Sequence, residues 1–209
     1  EGGCRGRLPP KSEHPLLPLR VVLDRIRAGS YLAIFLSGAG MFAVFLFLTY
    51  YMQLILGYSP IMTGLAFMPM VFGIVTAATL STAVLLPRVG PRVLIVSGMV
   101  IAAIGMTLLA QISVDSTYAV HILPGLVVTG LGMGSIFAPS MQGATSGVHH
   151  EDAGVASATV NTMQQVGGSI GTALLSTIAA SASTNYLVGR EMNPLTQAQA
   201  AVESYTTTF

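Results

Sequence analysis

The side chains able to do chemistry are few, and most gather late in the chain. Asn161, Gln164 and Gln165 place three carboxamides in otherwise apolar sequence, and Asn161 and Gln164, three apart, share a helix face. A primary amide neither ionises nor attacks; it donates and accepts hydrogen bonds, so its chemistry is recognition. Such amides either bond across helices as glue or line a polar cavity. His149, His150, Glu151 and Asp152 are residue types that can ligate a metal. Adjacent residues on one loop seldom converge on one ion, however, and His121 belongs to the opposite end of its own apolar block. A charged turn is the better account, with Glu151 or Asp152 capping the next helix and opposing its dipole. Arg88 and Arg92 flank Gly90-Pro91 in a tight turn, where they anchor the chain or gate it by binding and releasing a neighbouring helix end. No His-Glu-x-x-His, no nucleophile–base pairing and no phosphate-cradling glycine loop followed by Lys occurs. Enzyme chemistry therefore has no support, and neither a cofactor nor a resident metal is expected.

The elements that hold these groups are set by where charge is missing. From Ala28 to Pro87 there is no Asp, Glu, Lys or Arg, enough apolar chain to cross a bilayer twice. Only 8% of residues are charged and 52% are hydrophobic, with a mean hydropathy of +0.71; soluble domains carry about 25% charge. The expected fold is all-α, a polytopic transmembrane helix bundle in a lipid environment. At 1.5 Å per residue about 20 apolar residues span the hydrocarbon. That length divides the chain into five spans near 29–52, 60–86, 92–113, 118–144 and 153–183, preceded by a cytoplasmic segment 1–28 that reads as partly disordered. The second span is long enough to need tilt. A net charge of +1 gives no sign of a nucleic-acid partner, and the lone Cys4 excludes an internal disulfide.

Basic residues orient such a chain, because Lys and Arg collect in cytoplasmic loops. Lys11, Arg20, Arg25 and Arg27 precede the first span, Gln53 to Ser59 is uncharged, Arg88 and Arg92 follow the second, and only Asp115 follows the third. The N-terminus is therefore expected inside, in a multi-pass plasma (inner) membrane protein. Tyr31, Tyr50, Tyr51, Tyr58, Tyr118 and Tyr186 lie near span ends, where an amphipathic ring favours headgroups. Gly130 and Gly134, and Gly167 with Gly168 and Gly171, have the small-residue spacing that lets backbones close on one another; packing is their simpler role, substrate contact the other. Pro69, Pro124 and Pro139 should bend their helices. Short loops predict that consecutive spans lie side by side, antiparallel. No Asp, Glu, Lys or Arg falls in a span interior, so no proton relay is evident.

Several strings carry a family resemblance. Tyr51-Met-Gln-Leu-Ile-Leu-Gly57-Tyr-Ser59-Pro60 through Pro69, the turn Leu86-Pro-Arg-Val-Gly-Pro-Arg92, Gly130-Leu-Gly-Met-Gly134 through Pro139, and Glu151-Asp-Ala-Gly-Val-Ala-Ser157 with Asn161-Thr-Met-Gln-Gln165-Val-Gly-Gly-Ser-Ile-Gly171 occur in that order. Together they resemble the C-terminal half of major facilitator superfamily drug exporters of the fourteen-span EmrB/QacA type. The resemblance implies a partial major facilitator C-terminal half: five helices of a six-helix half, then residues 184–209 as an extracytoplasmic loop and the start of a truncated sixth span from Ala201. It implies export of small hydrophobic or cationic substrates in exchange for protons, with a missing N-terminal half as partner, and inactivity of this portion alone. It also turns Asn161, Gln164, Gly167, Gly168 and Gly171 toward the interior and makes Arg88 and Arg92 the cytoplasmic turn. Met41, Met68, Met70 and Met133 could adapt to varied apolar ligands. The other reading is a small structural membrane subunit that completes its bundle with another chain. The chain starts at Glu1 rather than Met and reads as a fragment.

Overall fold

A computed structural model describes residues 25–145, 153–188, 190 and 193–209. Every regular element among them is helical. The chain is a membrane helix bundle: four runs, Arg27–Ile55, Pro60–Leu109, Tyr118–Thr145 and Ala153–Leu187, are long and apolar enough to cross a bilayer. The first run is α1 (Arg25–Tyr50), continued by a π-helical turn over Tyr51–Ile55. Gly57, at φ 69°, turns the chain out. Ser59 then caps α2 (Pro60–Ala66): its hydroxyl accepts from the Met62 N–H at 3.3 Å, and Pro60 fills the first turn, where no N–H partner is needed.

The second run, fifty residues long, would measure about 75 Å if straight, more than twice a hydrocarbon core of about 30 Å. It is not straight. After α3 (Met68–Leu80) and a π turn at Ser81–Leu85 comes α4 (Leu86–Leu109), broken at Gly90 (φ 76°, ψ 163°) with Pro91 opening the second arm. That backbone conformation is open essentially to glycine alone. The two arms then run in opposite directions, as their partners on α5 (Leu123–Thr145) reveal. Along α3, Met70 meets Gly130 and Ile74 meets Gly134, so α3 and α5 are parallel; along α4, Gly98 meets Ile136, Ala102 meets Gly132 and Leu109 meets Gly125, so α4 and α5 are antiparallel.

The sequence predicts consecutive spans side by side and antiparallel; α4 and α5 follow that expectation, and the other main pairings depart from it. α5 sits at the centre, packed on α1, α3 and α4, while α6 (Ala153–Leu187) takes α1 as its main partner. Short loops restrict direction but not neighbours; the neighbours are chosen where glycine lets two backbones close. α1 and α3 meet near one end of the bundle, where the Phe45 and Phe67 rings lie 4.7 Å apart. The largest buried cluster occupies that same end: Leu48, Tyr51, Met52, Met70, Leu109, Ile122 and Leu126 share it with Val202 and Tyr205 from α7 (Pro194–Thr206), which folds back on α6.

Two tyrosines expected at headgroup level have other work. Tyr51 is fully buried and its hydroxyl donates to the Ser113 carbonyl at 2.7 Å, while the half-buried Tyr118 donates to the Ala66 carbonyl at 2.7 Å. Each ties a helix to the loop or helix end beside it. Tyr50, the residue before Tyr51, is 47% exposed.

Candidate functional site

α6 divides its circumference into three kinds of surface. The first is a seam against α1. Gly167 lies on the Phe35 backbone, Gly168 under the Phe42 ring and Gly171 on Ala39, while Gly38 of α1 approaches the Gln164 carbonyl. All four glycines are buried, and a side chain at any of them would strike the neighbouring helix. The second is an exposed polar strip of Ala158, Asn161, Thr162, Gln165, Ser169 and Ser176, covering roughly a third of the helix at 3.6 residues per turn. The third, beside it, is exposed and apolar: Val166, Ile170, Leu174 and Ile178.

Asn161 and Gln165, four apart, share the polar strip, whereas Gln164 is half-buried toward the α1 seam. The expected pairing of Asn161 with Gln164 thus gives way to Asn161 with Gln165. Thr162 and Ser169 send their hydroxyl protons to carbonyls one turn back, at Ala158 and Val166. The amides of Asn161, Gln164 and Gln165 bond to no described residue, so among the described residues they glue no helices together. They stand ready for water, a ligand or another protein surface.

The remaining candidates lie elsewhere. Gly130 and Gly134 are buried on α5, where a methyl group would strike the Met70 and Ile74 carbonyls; they belong to the α3 seam, apart from the α6 strip. Arg88 and Arg92 are exposed on either side of the Gly90 break. Met70 and Met133 are buried, Met41 half-buried and Met68 exposed, so the four methionines do not make one surface. His149, His150, Glu151 and Asp152 lie outside the described residues. Among the described residues no three His, Cys, Asp or Glu come together.

Sequence reasoning passed over a set of buried hydroxyls. Tyr31 Oη, Thr129 Oγ1, Ser140 Oγ and Thr172 Oγ1 are buried without a hydrogen-bond partner among the described residues. An unpaired buried hydroxyl is costly, and Thr129 tolerates its place because Gly105 opposite leaves room for it. The sequence carried no stronger signal than Ser and Thr scattered in glycine-rich helices.

A bundle of long apolar helices, closed by glycine seams and carrying a polar strip on an outer helix, is a polytopic membrane protein. The chain belongs to the Major Facilitator Superfamily, whose family profile matches residues 5–172. It is 45% identical over 196 residues to the puromycin resistance protein pur8 of Streptomyces alboniger, covering 93% of this chain and 39% of that protein. It is 37% identical to the cephamycin export protein CmcT of Amycolatopsis lactamdurans, over 81% of this chain and 35% of that one. A multidrug resistance protein B homolog of Mycobacterium tuberculosis is 30% identical, over 80% of this chain and 31% of its own length. The chain therefore spans less than two-fifths of the relatives it matches.

Proposed function

We propose that this chain forms the C-terminal portion of a secondary active multidrug exporter in the plasma membrane. It crosses the bilayer five times, with its N-terminus and the Arg88–Arg92 turn on the cytoplasmic side. The names of its relatives, a puromycin resistance protein and a cephamycin export protein, support export of small organic compounds such as antibiotics. The observation that carries the reading is the split surface of α6. Val166, Ile170, Leu174 and Ile178 suit hydrocarbon, but unpaired amides do not, since a polar group in lipid without a partner is expensive. Asn161 and Gln165 therefore border a water-filled cavity shared with an N-terminal half, and the cavity alternates its opening as the halves rock. The glycine seams let this half move as a unit.

Export in exchange for protons needs a titrating group in the membrane. The four described runs hold no Asp or Glu, so the N-terminal half supplies the acid, and this portion alone is inactive.

The test is accessibility along α6. In the whole transporter with every native cysteine replaced by Ser, single cysteines at Asn161, Gln165 and Ser169 should react with a membrane-impermeant thiol reagent, and cysteines at Val166, Ile170 and Leu174 should not. Equal labelling of both strips would remove the cavity. Energy-dependent ethidium efflux from cells that make only this chain would show that no N-terminal half is needed.

A further inference from the structure

A second polar site lies away from the α6 strip. Where α7 folds back on the end of α6, the two helices border an open groove of about 580 Å³. Its polar lining is mostly acceptors, with the Asn185 carboxamide offering both a donor and an acceptor. Thr177, Ser181 and Thr207 line it, and each sends its hydroxyl proton to a carbonyl one turn back, at Ala173, Thr177 and Glu203. What each leaves for a ligand is oxygen lone pairs. The Glu203 carboxylate lines the same groove and receives no hydrogen bond or ion pair from a described residue. Ile178 and Ala182 add an apolar wall.

Tyr186 closes the groove and its ring already holds a cation: the Arg190 guanidinium carbon lies 3.6 Å from the ring centroid. The tyrosine hydroxyl is fixed on α7 by donation to Gln199 Oε1 at 3.1 Å, so the ring is held in place. A guanidinium at that distance is an attractive arrangement, and it shows that the Tyr186 ring, at the edge of the groove, accepts a cation.

We propose that this α6–α7 groove binds an amphipathic organic monocation, its charge facing Glu203 and the Tyr186 ring and its apolar part against Ile178 and Ala182. Arg190 is the resident competitor for the ring. The binding does not depend on transport; only its role as a stopping point for cargo rests on the exporter reading above.

The probe is tetraphenylphosphonium, with tetraphenylborate as the anion of the same shape, in equilibrium dialysis against the purified 209-residue chain in maltoside micelles. The cation should bind and the anion should not. E203Q should weaken the cation about fivefold, and R190Q should strengthen it by about two- to fivefold, the scale of one exposed charge or cation–π contact. S181F keeps every charge but fills the groove and should abolish binding. Each variant must keep the helical circular dichroism and elution of the parent; Glu203, Arg190 and Ser181 are all exposed, so none is a core position. No cation binding by the parent, equal binding of the borate, or unchanged affinity in both E203Q and S181F would overturn the proposal. Ethidium efflux by the whole transporter, measured separately, reports on the exporter reading alone.

Discussion

α5 and α6 are both apolar, both glycine-rich and both crossed by packing seams, yet they are built for opposite purposes. α5 is enclosed by α1, α3 and α4, and its glycines at 125, 130, 132, 134 and 143 are all buried. α6 has its closest seam, through Gly167, Gly168 and Gly171, on α1, and presents much of its remaining surface outward, half of it polar. The difference teaches that glycine content alone does not mark a working surface. What distinguishes α6 is the pair Asn161 and Gln165, exposed and without a hydrogen bond among the described residues.

Substitutions can break or sharpen this contrast. The largest effect should come from Gly130→Leu: a side chain there meets the Met70 backbone, which cannot step aside, and overpacking should cost about 3 kcal/mol or more, seen as loss of a cooperative melt in detergent. Next is Gly90→Ala, which forces a side chain into a glycine-only conformation at a cost of about 1–3 kcal/mol; its melting temperature should fall. On α6 the strip should separate activity from stability. Asn161→Leu with Gln165→Leu should cut efflux by the whole transporter about tenfold, an effect on the order of 1.4 kcal/mol, with no loss in melting temperature, while Val166→Leu leaves both unchanged. Tyr51→Phe removes the bond to the Ser113 carbonyl and should lower stability by about 1 kcal/mol, measured against the parent in a detergent–denaturant titration. The smallest effect is expected at Gly154, where an added Cβ meets nothing within 4 Å; Gly154→Ala should shift stability by less than about 0.5 kcal/mol.

How much of this was legible in the sequence depends on the kind of force involved. Burial in lipid is a bulk property, so the charge-free stretches announced the helices, and Gly90-Pro91 between Arg88 and Arg92 announced the break in the long run. Neighbours were not legible. In a soluble helix the buried face stands out against a polar one, but here the surface turned to lipid is as apolar as the surface turned to protein, so periodicity says little about which face packs. Leu32 and Ile34 of α1 show the problem: similar side chains, the first 58% exposed and the second 1%. The same ambiguity hid the choice between Gln164 and Gln165 as the outward amide, because a register of one residue decides it. Tyr51 misled for another reason, since a tyrosine at a span end is equally suited to headgroups and to a carbonyl across the bundle. The three π-helical turns, at Tyr51–Ile55, Ser81–Leu85 and Tyr118–Ile122, left no trace in composition.

The pairing of α1 with α6 has a consequence for how the molecule is made. Phe35 and Ala39 are synthesised before the glycines that cover them, Gly167 and Gly171, which come only after four intervening helices, α2 to α5. At translation rates of about 5–20 residues per second the first helix waits on the order of ten seconds for its mate. During that interval its seam is bare within the lipid or the insertion machinery, open to wrong neighbours, so the emergence of α6 is what completes the packing of α1.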